Sequence, residues 1–264
     1  MAKKQKKEEY VELNGILGNA FDYHVYHMQF IDYLIACALG FGLAMLVILI
    51  FFGNVIFGAI VGVLVAIKAP KFYAGFRKKQ RLKSLREQFK DLLESLSASY
   101  SAGRNTPDAF QDACNDMISI YGEESDIVRE LELICTGLNN NINIEVLLTD
   151  FAERSGLDDV MSFANVFEVC NRQGGDLKRV VNQTRDVISD KMEIEMEIDT
   201  MVAGNKNELN VMMIMPLLIV GMMKGMGISS IGTNTLANIV IKVICIGIFV
   251  LAYVIGAKIT DIKI

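Results

Sequence analysis

The chain has 264 residues, 52% hydrophobic and 22% charged, with a formal net charge of −5. That much apolar character excludes an ordinary soluble domain unless the apolar residues are concentrated in segments. The five cysteines are odd in number and form no C-x-x-C pair, which argues against a disulfide framework; they read as reduced packing residues on the reducing side of a membrane.

The first 30 residues open on MAKKQKK, and no apolar run follows to make a cleavable signal peptide. Within FDYHVYHMQF, His24 and His27 have a helical spacing that suits a metal, but further ligands are missing, so the aromatic-rich stretch reads as an interfacial amphipathic segment. Ile31 to Phe52 is apolar for 22 residues with Asp32 at its edge, long enough to cross a bilayer. Gly53-Asn54 breaks it, and Val55 to Ile67 continues apolar to Lys68 and Pro70. The pair predicts a transmembrane hairpin over 31–70. A second pair is expected over 209–257: Leu209 to Met223, kinked at Pro216, and Leu236 to Ala257, joined by the Gly- and Ser-rich KGMGISSIGTNT. Lys242 reads as an anchor near the end of its span more than as part of an ion pathway.

Lys and Arg crowd the N-terminus, the segment after the first hairpin, and the 258–264 tail. The positive-inside rule then places both termini and residues 71–208 in the cytoplasm of a multi-pass chain. In the spans, Gly58 and Gly62, and again Gly221 and Gly225, have the G-x-x-x-G spacing that lets helices approach closely.

Residues 71–208 have a helical period throughout. Leu85, Phe89, Leu92, Leu93, Leu96 and Tyr100 form one apolar stripe, ended by Gly103. Thr106-Pro107-Asp108 starts a second helix, with Thr106 expected as its N-cap. Ile127 to Leu138 marks a third, closed by GLNNNIN. Ile144 to Arg154 is a fourth, stopped at Ser155-Gly156, and Leu157 to Cys170 a fifth. A sixth begins at Leu177, and nothing stops it before Gly204. The alternation MEIEMEID (Met192 to Asp199) fits a strand, but Met and Glu favour helix and a lone strand has no partner, so helix is expected. The fold class is therefore all-α: two membrane helices, a cytoplasmic bundle of about six helices, then two membrane helices.

The CNRQGGDLKRVV turn raises the possibility of a phosphate loop. It lacks a preceding strand and a G-x-x-x-x-G-K pattern. A helix-turn pivot fits better: Gly174 as left-handed cap, Gly175 for close backbone passage, Asp176 as the next N-cap. No catalytic, cofactor or metal residues are assigned, and no nucleic-acid interface. Two charged sets are candidate partner contacts. Glu193 and Glu197 share one helix face and Glu195 and Asp199 another; Arg77, Lys78, Lys79 and Arg81 form a basic segment that is also suited to anionic membrane lipid.

Three runs, FKDLLESLSASYSAGRNTPDAFQDA (Phe89 to Ala113), GLNNNINIEVLLTDFAERSGLDDVMSFANVF (Gly137 to Phe167) and RQGGDLKRVV (Arg172 to Val181), lie in order between the apolar pairs. Together they resemble the type II secretion system F-domain family (GspF/PilC-like), in its TadB/TadC branch. The resemblance implies a non-enzymatic inner-membrane platform of a bacterial or archaeal Flp (Tad) pilus or secretion machine. Its implied partners are a hexameric secretion ATPase, pilin subunits, and a paralogous TadB/TadC-type chain or a second copy. The alternatives are a small transporter or channel, or a membrane-bound sensor or adaptor with a helical cytoplasmic domain.

Overall fold

The computed structural model describes residues 13, 15–18, 20–24, 28, 30–53, 55–226, 240, 244–245, 247–248, 251–252 and 254–256, with backbone alone for Phe57, Lys206 and Lys224. Among them the regular elements are seven α-helices and no strand: α1 (Phe30–Phe52), α2 (Val55–Ser101), α3 (Thr106–Tyr121), α4 (Asp126–Asn139), α5 (Ile144–Ser155), α6 (Asp158–Gln173) and α7 (Leu177–Gly225). Three helices (α1, α2 and α7) contain stretches long and apolar enough to cross a membrane. Most of the expected fourth span, with Lys242, lies outside the described residues, as do His27, the MAKKQKK start, the KGMGISSIGTNT link beyond Met226 and the 258–264 tail.

Two expected boundaries are absent. The second span and the first bundle helix are one helix, α2, which passes through Pro70. The sixth bundle helix and the third span are likewise one helix, α7, which passes through Gly204 and Pro216 and carries MEIEMEID as helix. An interior proline costs a helix roughly 3 kcal/mol and a glycine about 1 kcal/mol. Those penalties are local, and the many hydrogen-bonded turns on either side of each residue outweigh them in helices of 47 and 49 residues.

The chain forms two compact units, and both long helices belong to both of them. One unit comprises Gly75–Lys191 with the N-terminal segment up to His27; the other comprises Met28–Ala74 with Met192–Ile264. The division on α7 falls at Lys191.

In the first unit, α3 packs on α4, α4 on α5 and α5 on α6. The core is aromatic at its centre. Phe89 meets Phe151 and Phe163 edge-on, with ring centroids 6.2 and 5.7 Å apart, and Phe110 meets Phe167 at 6.3 Å. The expected apolar stripe of α2 is buried at Leu85, Phe89, Leu92, Leu93 and Leu96, and Val181 and Ile188 of α7 join it. Connections follow local chemistry. Asn105, and not Thr106, caps α3: its side chain accepts from the Asp108 N–H at 2.9 Å, and Pro107 sits in the first turn. Asn141 takes φ +59 at the end of α4, where the Ile142 N–H returns to the Gly137 carbonyl at 2.9 Å. This is a Schellman closure in which asparagine replaces the usual glycine.

In the second unit, α1 and α2 pack through small residues. A Cβ on Gly40 would stand 2.7 Å from the Ala69 Cβ, and one on Gly62 2.8 Å from the Phe41 ring. Gly58 lies against Ile48 and Met45.

Candidate functional site

The Gly-Gly pivot has the geometry expected of a helix turn. Gly174 is left-handed at φ +69, and the Gly175 N–H reaches the Cys170 carbonyl at 2.8 Å. A Cβ on Gly175 would lie 2.5 Å from the Cys170 Sγ, so the backbone passes too closely for a side chain. Asp176 caps α7 by accepting from the Arg179 N–H at 3.2 Å. Gly103, at φ +78, ends α2. Of the four membrane glycines, Gly58 and Gly62 seat α2 on α1, whereas a Cβ on Gly221 or Gly225 meets nothing within 4 Å among the described residues.

The charged sets divide differently from expectation. Glu193 and Glu197 are exposed on α7, while Glu195 and Asp199 are engaged within the chain. Lys79 is exposed, Lys78 is half-buried, and Arg77 is engaged within the chain. Arg81 leaves the exposed set. It makes a fork of bonds to Asp126, Nε to Oδ2 at 2.8 Å and one terminal nitrogen to Oδ1 at 2.5 Å, and its guanidinium lies 4.7 Å from the centre of the Tyr23 ring. The planar guanidinium stacks on the aromatic face while its edge satisfies a carboxylate.

Tyr23 belongs to the most polar buried site of the bundle, which the sequence reading missed. The described residues between 13 and 24 form a strap of turns and loop against α4 and α5, where the sequence suggested an interfacial amphipathic segment from Phe21 onward. Tyr23 is 2% exposed, and its hydroxyl donates to Glu130 Oε1 at 2.9 Å. Glu130, 1% exposed, receives both ends of the Arg154 guanidinium at 2.8 and 2.6 Å. Arg154 also donates to the Phe21 carbonyl at 3.0 Å and through Nε to Asp150 at 2.8 Å, and its own carbonyl accepts from the Tyr23 N–H at 3.1 Å. Asp150 in turn accepts from the Ile16 N–H at 3.2 Å. Asp22, also buried, accepts from the Leu13 and His24 N–H groups at 3.0 and 2.8 Å, and His24 Nδ1 lies 3.1 Å from the same carboxylate. Gly156, left-handed at φ +63, makes room for the His24 ring.

Burial sets the electrostatics of this site. It raises the Tyr23 phenol well above its ordinary value, and the Glu130 and Asp126 charges beside it add to the rise. It also raises the Glu130 carboxyl, against which the Arg154 guanidinium and the Tyr23 hydroxyl act in part.

A second charged cluster ties the long helices together inside the bundle. Asp159 at the start of α6, 8% exposed, accepts from Arg86 of α2 at 2.7 Å and from Lys191 of α7 at 2.5 Å. All five cysteines are free thiols, with Cys114 of α3 and Cys135 of α4 buried in the bundle. The Glu130–Arg154 pair and the Arg86–Asp159–Lys191 cluster each join different helices, an arrangement suited to fixing helices in place. Comparison with protein-family models, with curated proteins and with solved structures gives no match for this chain.

Proposed function

We propose that the protein is a membrane platform that passes motion from a cytoplasmic motor to subunits moving in or out of the membrane. In this reading the helical unit and both termini face the cytoplasm and the chain has no catalytic site of its own. It works with a hexameric secretion ATPase, pilin-type subunits and a second four-span chain or copy, as the sequence resemblance implies. The observation that carries the reading is the continuity of α2 and α7. Each runs without a break from a stretch apolar enough for a membrane into the bundle, where Asp159 joins them through Arg86 and Lys191. A hydrogen-bonded helix carries displacement along its axis, whereas a loop at the same place would absorb it. The exposed carboxylates Glu193 and Glu197, just beyond Lys191 on α7, are the proposed contact for the motor or the partner chain.

The test is crosslinking in intact membranes, followed by purification and mass spectrometry. Recovery of a secretion-type ATPase with pilin-like subunits supports the platform reading. A well-expressed, correctly inserted chain that captures neither sinks it. Reversal of both Glu193 and Glu197 to Lys is expected to abolish capture of the motor or partner chain without lowering expression, and unchanged capture removes these two residues from the contact.

A further inference from the structure

We propose that the surface of α4 and α5 beneath the strap is a peptide-recognition site, filled in cis by the described residues of the strap (13, 15–18 and 20–24) and able to take the same segment from a second copy of the chain. This inference does not depend on the platform reading. The contacts have the form of a receptor holding a short peptide by its backbone and one side chain. The segment's backbone is held at two points: the Arg154 guanidinium donates to the Phe21 carbonyl, and the Tyr23 N–H donates to the Arg154 carbonyl. The one deep anchor is an aromatic side chain, Tyr23, recognised at its hydroxyl by Glu130 and on its face by Arg81. Such a combination, contacts to the backbone for affinity and one side-chain pocket for selection, is how peptide segments are bound between chains.

Two features make the strap removable. The charges of the site are already neutralised by the bundle itself: Glu130 is paired with Arg154, Arg154 with Asp150, and Arg81 with Asp126. Departure of the strap leaves no buried ion orphaned, which is the costly outcome for a charged interior. The strap is also thin. Leu13, Ile16 and Phe21 stay exposed while it is docked, and opening a segment with few buried apolar contacts costs much less than unfolding the bundle. Since every contact described is made by a short stretch without helix or strand, an identical stretch from a neighbouring copy satisfies the same groups.

The test uses the full-length protein in detergent micelles and a labelled synthetic peptide of residues 13–24. A Tyr23→Ala chain, whose own strap has lost its anchor, is expected to bind the peptide, read as a rise in fluorescence anisotropy. The wild-type chain, occupied in cis, should bind about tenfold more weakly or worse, because only its open fraction competes. A peptide with Ala in place of the tyrosine should not bind, and adding Arg81→Ala to the Tyr23→Ala chain should weaken binding. Absence of binding to a folded Tyr23→Ala chain, or equal binding of the peptide lacking tyrosine, overturns the site. Exchange between copies is read separately, on chains that keep Tyr23. A photo-crosslinking residue at the exposed Phe21 position of a tagged copy should capture an untagged copy, and crosslinks confined to the tagged chain overturn the exchange.

Discussion

Arg154 and Glu130 each sit within an amphipathic helix of ordinary composition, and in sequence neither differs from a surface charge. In the folded chain they are buried, bidentate and joined by Tyr23, so removing Arg154 leaves Glu130 as an uncompensated interior ion. Arg154→Met should destabilise the bundle by about 3–5 kcal/mol, and the double variant Glu130→Met/Arg154→Met by less, measured as denaturant unfolding of the full chain in micelles. A double variant worse than the single one contradicts the pairing.

Tyr23 makes the site sensitive to alkali. Its folded-state pKa lies above the ordinary 10.0, so its contribution to stability is fully present below pH 10 and is lost as pH rises beyond that value. The strap should become cleavable by added protease as pH rises above about 10, and Tyr23→Phe should remove this dependence while costing about 1–2 kcal/mol at neutral pH through the lost bond to Glu130. Tyr100 and Tyr121, pushed up to about 12 mainly by burial, should also form phenolate late in a near-ultraviolet titration.

At the level of elements, helix starts and turns were the most legible features, because their determinants are local. The left-handed glycines at 103, 156 and 174 end the helices they were expected to end. The α3 cap shows how fine that legibility is. Thr106 and Asn105 are both good capping residues, and the chain uses Asn105. Asn105→Ala should therefore cost about 1 kcal/mol and Thr106→Ala close to nothing in the same unfolding assay. The reverse order would restore the cap that the sequence suggested. Gly137 reports on packing: a Cβ there would lie 2.5 Å from the Leu147 Cδ2, so Gly137→Ala should cost about 1–3 kcal/mol, and trimming Leu147 to Val should recover part of the loss. Helix ends inside long helices were not legible. Pro70 and Gly204 read as boundaries, yet α2 and α7 run through them, since a penalty on one residue does not decide a helix supported on both sides.

For the whole molecule, the expected orientation can be checked by labelling intact cells. Val55 opens α2 just after the hairpin turn, and Lys79 lies on the exposed surface of the same helix within the bundle unit. With the bundle in the cytoplasm, a Val55→Cys chain should react with an impermeant thiol reagent added outside, and a Lys79→Cys chain only after permeabilisation. Reaction of both from outside would reject the hairpin. By itself, the sequence determined the all-helical class, the apolar stretches, the bundle stripes and most of the turns, because each is written within one or two helical turns of chain. Only the tertiary structure decided that the strap packs on the bundle, that Arg81 is engaged by Asp126 and Tyr23, and that Glu130 and Arg154 form a buried pair. Those groups meet across separations such as the 107 residues between Tyr23 and Glu130. No local pattern marks which surface-like charge a distant segment will cover; only the packed fold brings them together.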